Sequence, residues 1–227
     1  SNYSNKKNEL RRDGSHLILN VKSNSNKTIC RSWFAGGGGR VGTDSNMEIT
    51  ERLHTTSREQ WRDWLAENHS TKREIWISTT KSPDGLQYLD AVEEALCFGW
   101  IDSTIKAGEG VMWRRFSPRR KRSPWTELNK ERCRRLERLG LMTEAGRAVL
   151  PNMDFHIDDD VLAALQSDDA VWQNFQTLPA LYVRVRIDNI QNIRKRDPEA
   201  FQRRLQKFIE YTRNGIMYGE WHDDGRT

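Results

Sequence analysis

The sequence predicts an α+β fold: a small three-stranded antiparallel sheet with a mostly helical C-terminal half. Two observations carry this. "WIDSTIK" and "VMWRRFS" are rich in β-branched and aromatic residues and flank a short "AGEG", which reads as a hairpin, and "EIWISTT" reads as a third strand. From Ser123 onward, capping residues recur ahead of apolar stripes at helical spacing. There is no internal repeat, so three short strands and six or seven helices belong to one α+β arrangement.

The elements follow in order. Ser57, with Gln60 three residues on, is a capping box that opens "REQWRDWLAENH", and Trp61, Trp64 and Leu65 share one face of that helix. "EIWISTT" spans 74–80, and "SPDG" at 82–85 is a turn, with Pro presetting φ and Gly tolerating positive φ. "YLDAVEEALCFG" is a helix with Leu89, Val92 and Leu96 on one face and Gly99 as its stop. After the hairpin, Ser123 caps a helix with Pro124 at its first position, running to about Leu139 with Gly140 as the stop. Thr143 caps a short helix ending before Pro151. "DDVLAALQ" and the Asp168-capped "DAVWQNFQTL" are short helices. "ALYVRVRIDNIQNIRK" carries Val183, Ile187 and Ile190 on a stripe, and Asp197-Pro198 opens a helix with Phe201, Leu205 and Phe208 inward and Gly215 at its end.

Residues 1–46 differ from the rest. They are rich in Ser, Asn, Gly and Lys, only "HLILNV" and "ICRSWF" could form strands, and the run Gly36 to Gly39 lacks the Gly-Lys-Ser/Thr of a phosphate loop. This stretch reads as a disordered N-terminal extension. Residues 47–227 read as a single domain, with an α+β part at about 47–122 and a helical part at about 123–227.

Composition narrows the class. The chain has 227 residues, 36% hydrophobic, nine of them Trp, so the core is expected to be aromatic-heavy. A net charge of +5 and a pI near 9.2 lean weakly toward anionic partners. Cys30, Cys97 and Cys133 form no C-x-x-C pair, which favours reduced thiols over a disulfide framework or zinc site. No apolar run approaches the roughly 20 residues of a membrane span, and the N-terminus shows no apolar secretory segment, so the expected location is cytoplasmic.

The chemistry concentrates in "MWRRFSPRRKRSPWTELNK", Met112 to Lys130, where seven basic residues surround Phe116, Pro118, Ser123, Pro124 and Trp125. Strand alternation sends Arg114 and Phe116 to one face and Trp113 and Arg115 to the other. Arg119 beside a helix end capped by Ser123 would make an anion site, because free amides and a guanidinium both favour negative charge. The other readings are a solvated basic loop or a nucleic-acid surface with Trp113, Phe116 and Trp125 stacking bases, although no nucleic-acid signature is present. Asp102, just after the Gly99 stop, can cap amides, pair with an arginine or act as a base. The five His show no metal spacing, "DFHIDDD" at 154–160 is explained by acidic helix starts as well as by a cation, and no catalytic constellation stands out. No cofactor is implied.

Three stretches, "EEALCFGWIDSTIK", "RRFSPRRKRSPWTELNKER" and "LGLMTEAG", resemble the YdeI/OmpD-associated family, also called the bacteriocin-protection family. Its pattern G-W-I-D, F-x-P-R, S-x-W-S/T-x-x-N falls here on Gly99 to Asp102, Phe116, Pro118, Arg119, Ser123, Trp125, Thr126 and Asn129. The resemblance runs from about residue 48 onward, and its C-terminal part departs from the commoner pattern at Arg186-Ile187 and Ile190-Gln191. It implies a link to stress or antimicrobial-peptide resistance, in some members with a porin partner at the envelope, and no established reaction. The resulting expectation is a non-enzymatic binding protein with a ligand site of Asp102, Phe116, Arg119, Ser123, Trp125 and Asn129. In it Asp102 orients Arg119 and the helix end receives a small anion. A polyanion such as nucleic acid would instead use the basic surface of Arg114, Arg115, Arg120, Lys121, Arg122, Arg134 and Arg135. An enzyme acting on a small anionic substrate, with Asp102 as base, is the third expectation.

Overall fold

The computed structural model describes residues 48–80, 85–108, 110–121 and 123–227, all within the compact unit Trp33–Thr227. The N-terminal extension with its two strand-like stretches, Gly36 to Gly39, Cys30, residues 82–84 of the "SPDG" turn and Arg122 lie outside the described residues.

The fold is α+β, and the sheet departs from expectation: it is four-stranded and mixed, in the order β1-β2-β4-β3. Strand β1 (Arg52–Leu53) pairs in parallel with β2 (Ile75–Ser78), and helix α1 (Arg58–Asn68) is the crossover between them. Two charged-flanked residues carry no strand periodicity; pairing with β2 makes them a strand. β2, β4 (Val111–Pro118) and β3 (Trp100–Gly108) are antiparallel, as expected. The β3–β4 ladder runs through Gly108↔Val111, with Gly110 at φ +76° in the turn.

The described residues hold eight α-helices and a short 3-10 helix at Asp223–Gly225. Ser57 caps α1 by accepting from the Gln60 amide, and α2 (Tyr88–Cys97) stops at Gly99, φ +75°. α3 (Glu127–Arg138) begins later than the Ser123-Pro124 signal indicates, because the Thr126 hydroxyl, not Ser123, accepts from the Asn129 amide. α4 (Glu144–Arg147) follows its Thr143 cap, and Gly146 lets it lie against the end of α2, where a Cβ would overlap the Cys97 carbonyl. The remaining helices are α5 (Asp159–Gln166), α6 (Asp169–Phe175), α7 (Ala180–Gln191) and α8 (Pro198–Arg213).

Two apolar clusters form the core. The first joins Trp61 and Leu65 of α1, Ile75 and Ile77 of β2, Val92 and Leu96 of α2, and Phe116 of β4, with Trp61 meeting Phe116 edge-on at 5.4 Å. The second joins Val161, Val171, Tyr182, Ile187, Ile190, Phe201, Leu205 and Phe208. The first contains the strands and their covering helices, the second the helices from α5 onward. Full burial of such side chains contributes roughly 1.5–3 kcal/mol each.

Candidate functional site

The β3–β4 pair and the start of α3 bring together the polar residues singled out by sequence, but not in the expected pairs. Asp102 lies opposite Phe116, just before a register shift that ends at Ile105↔Arg114. The resulting bulge bends β3 there. The Asp102 carboxylate accepts from Arg114 Nη1 at 2.9 Å and from the Tyr88 hydroxyl at 3.3 Å, and the Arg114 guanidinium lies over the Tyr88 ring at 4.1 Å. Asp102 is thus the partner of Arg114 rather than of Arg119. Burial pushes the Tyr88 phenol well above its ordinary range, with the Asp102 charge acting in the same direction.

Arg119 occupies the strand-to-helix corner. Its backbone amide donates to the Gly99 carbonyl at 2.9 Å, which fixes the chain leaving β4 against the end of α2. Its guanidinium stacks 3.6 Å above Trp125 and gives one hydrogen bond, from Nη1 to the Pro124 carbonyl at 3.3 Å. The residue is 8% exposed, and its buried Nε has no acceptor. Among the described residues no carboxylate lies within ion-pair distance of it. Burial lowers its pKa to about 10, opposed by Cys133 and by the Asp102 charge, so it is still a cation at neutral pH. A buried, unpaired guanidinium is costly unless something outside the chain completes it.

Arg132, on α3, lies in the same electrostatic field, since Asp102 and Tyr88 both act on it. Its Nε and Nη2 reach Asp223 at 2.6 Å each, and its Nη1 reaches the Asn129 side-chain oxygen at 2.6 Å. The cluster thus sets three guanidiniums, Arg114, Arg119 and Arg132, against two carboxylates, Asp102 and Asp223. Arg132 and Asp223 were not legible as site residues: their pairing spans 91 positions and leaves no local signal.

The other expected residues fall as follows. Phe116 is a fully buried core side chain on Trp61. Ser123 makes a turn by donating its amide to the Arg120 carbonyl at 2.9 Å. The start of α3 already holds an anionic group, because the Glu127 amide donates to Asp188 Oδ2 of α7 at 3.1 Å. Burial, together with the neighbouring Glu127, raises the Asp188 carboxyl to about 6.

The basic surface is largely consumed internally. Arg114 pairs with Asp102; Arg115 with Glu74 and Ser103; Arg134 with Glu131 and the Met153 carbonyl; Arg135 with Glu93. Arg120 and Lys121 are exposed. In the acidic stretch, Asp158 and Asp160 hold Arg194 at 2.9 and 2.7 Å. Among the described residues no group of three or more His, Cys, Asp or Glu is placed to hold a metal ion, and no helix is long and apolar enough to cross a membrane. Cys97 and Cys133 are buried free thiols, each pushed up to about 12 by burial.

Residues 154–215 match the family described as "Bacteriocin-protection, YdeI or OmpD-Associated", and residues 53–149 match a domain of unknown function, DUF8412. The first of these matches spans α5 to α8, less than half of the chain. The G-W-I-D and S-x-W-T-x-x-N stretches lie upstream of that match, in the span of the second family, and so does Arg119. No curated protein and no solved structure matches the chain. Within the family domain, the departures Arg186-Ile187 and Ile190-Gln191 have structural employment. Arg186 stacks near Tyr182 and Tyr218 and donates to the Glu220 carbonyl, Ile187 and Ile190 are core, and Gln191 accepts from the Asp158 amide at 2.9 Å.

Proposed function

We propose that the protein is a non-enzymatic binding protein of the bacteriocin-protection type, and that it takes a small oxyanion on Arg119. The observation carrying this reading is the unmatched guanidinium itself. Arg119 is held flat on Trp125, is mostly removed from water, and has one carbonyl as its hydrogen-bond partner among the described residues. Its Nη2 makes no hydrogen bond among the described residues and, unlike Nε, is not sealed from solvent, so it can donate to an oxygen of a carboxylate or phosphate. Trp125 lies under the guanidinium, so less side-chain entropy remains to be lost on binding. Asp102 supports the site as the ion-pair partner of Arg114 and the hydrogen-bond acceptor of the Tyr88 hydroxyl, a role that does not require it to move protons. A contribution to stress or antimicrobial-peptide resistance, and any envelope partner such as a porin, would follow from ligand capture at this corner.

Calorimetric titration of the full chain with inorganic phosphate, citrate, a short oligonucleotide and anionic vesicles, at two salt concentrations, tests this. Phosphate or citrate is expected to bind with weak salt dependence, and Arg119→Ala to abolish binding while melting stays near wild type. Binding of the oligonucleotide alone, vanishing with salt, would overturn the reading in favour of a polyanion surface around Arg120 and Lys121.

A further inference from the structure

We infer that the Arg119 corner selects a dianionic oxyanion, a phosphate monoester, over singly charged anions of the same shape. This rests on the anion-binding reading above and adds its ligand class.

The corner is a turn closed by two contacts. The Ser123 amide donates to the Arg120 carbonyl at 2.9 Å, and Arg119 Nη1 donates to the Pro124 carbonyl at 3.3 Å. The first contact brings Ser123 back to Arg120. The second carries the Arg119 guanidinium across to the point where the chain leaves that turn. Trp125, 3.6 Å from the guanidinium, holds it there. Arg119 is thus the buried cation of the corner, and Arg120 and Lys121, the two residues that follow it, are exposed on the turn.

Unopposed charge sets this turn apart from the rest of the basic stretch. On β4, Arg114 and Arg115 are held by Asp102 and Glu74; on α3, Arg134 and Arg135 are held by Glu131 and Glu93. Between these two groups, Arg119, Arg120 and Lys121 have no carboxylate within ion-pair distance among the described residues. The nearest described acids in the sequence are engaged elsewhere, Asp102 by Arg114 and Glu127 by Lys130 and Arg184. Three successive cations without a counter-charge repel one another, and Arg119 does so with most of its water removed.

That excess decides the ligand class. A monoanion on Arg119 Nη2 neutralises one of the three charges. A phosphate monoester neutralises two at neutral pH, and its three terminal oxygens accept from Arg119 and from the long side chains of Arg120 and Lys121 together. The two contributions respond differently to salt. The buried Arg119 contact is weakly screened, whereas the pull of Arg120 and Lys121 is screened by solvent ions. Preference for the dianion therefore falls with ionic strength while binding itself persists.

A sulfate ester has the shape of a phosphate ester and one charge fewer, so the pair isolates charge. Phenyl phosphate and phenyl sulfate are titrated by calorimetry into the full chain, into Arg119→Ala, and into a double variant carrying Arg120→Gln and Lys121→Gln. The titrations are run at about pH 5 and about pH 7.5, on either side of the second phosphate pKa near 6. At the higher pH, wild type is expected to bind phenyl phosphate about tenfold tighter than phenyl sulfate, near the low end of what one further hydrogen bond between charged groups contributes. At the lower pH the two esters should bind alike, and in the double variant they should bind alike at both. Arg119→Ala should bind neither. Equal, Arg119-dependent affinities at the higher pH would overturn the selection of a dianion and leave the oxyanion site standing. A phosphate preference that survives in the double variant would overturn the part given to Arg120 and Lys121. Absence of Arg119-dependent binding of either ester would remove the site and its selectivity together. If Arg119→Ala does not fold, the comparison of the two esters on wild type and the double variant decides the selectivity.

Discussion

Two arginines at one corner show how differently the fold treats the same side chain. Arg132 has all three guanidinium nitrogens hydrogen-bonded, to Asp223 and Asn129. Arg119 has one carbonyl and an aromatic face. Desolvating a cation without an anion opposes folding, while a cation–π contact returns about 0.5–2 kcal/mol. Arg119→Met keeps the stem and removes the charge, so chemical denaturation should place it within about 1 kcal/mol of wild type or above it, with anion binding lost. A loss well beyond that would make Arg119 a structural residue. Glu93 is the opposite case. It lies on α2, 0% exposed, with Arg58 and Arg135 at 2.9 and 2.8 Å and Arg226 at 3.6 Å. Glu93→Gln leaves those cations without their charge partner, and the expected loss is about 3 kcal/mol in a urea titration.

At the scale of elements, the helices were legible because their apolar stripes and caps are local. Ser57, Thr143, Asp168 and Asp197 each accept from the amide three residues on, and Trp61, Leu65, Phe201, Leu205 and Phe208 point inward as their spacing indicates. What escaped depends on distant chain. Strand β1 exists through β2; Glu93 and Glu94 look like solvent-facing acids in "YLDAVEEALC" and are buried by arginines from α1 and α3. The start of α3 was misplaced for a related reason. Ser123-Pro124 is a good start signal, but the Pro124 carbonyl serves Arg119, and the cap passes to Thr126. Of the candidate residues, Arg119 stacks on Trp125 and Asn129 meets Arg132, while Asp102 pairs with Arg114 instead of Arg119; Arg132 and Asp223, paired across 91 positions, left no local signal. The cap assignment predicts that Thr126→Ala lowers stability by about 1 kcal/mol, whereas Ser123→Ala stays within about 0.5 kcal/mol of wild type; equal losses in thermal melts would return the cap to Ser123.

At the scale of the whole molecule, α3 meets α7 through a charged seam that links the two matched spans. Arg184 pairs with Glu127 and Glu131, Lys130 with Glu127, and Asp188 accepts from the Glu127 amide and from Asn192. Burial and the Glu127 charge raise the Asp188 carboxyl from 3.8 to about 6, against the stabilising pull of that amide and of Lys130. The folded state therefore holds the Asp188 proton more tightly than the unfolded chain. A raised carboxyl contributes stability that is fully present below the unfolded pKa near 3.8 and is lost as pH rises through about 6. Asp188→Asn removes this titration and keeps an oxygen for the Glu127 amide. Between pH 4 and 7 the melting temperature of wild type should therefore fall relative to that of the variant, by on the order of a few degrees, and the two curves should run parallel above pH 7. Curves that stay parallel across the whole range would mean that Asp188 is ionised throughout, and that the seam is held by the arginine and lysine pairs alone.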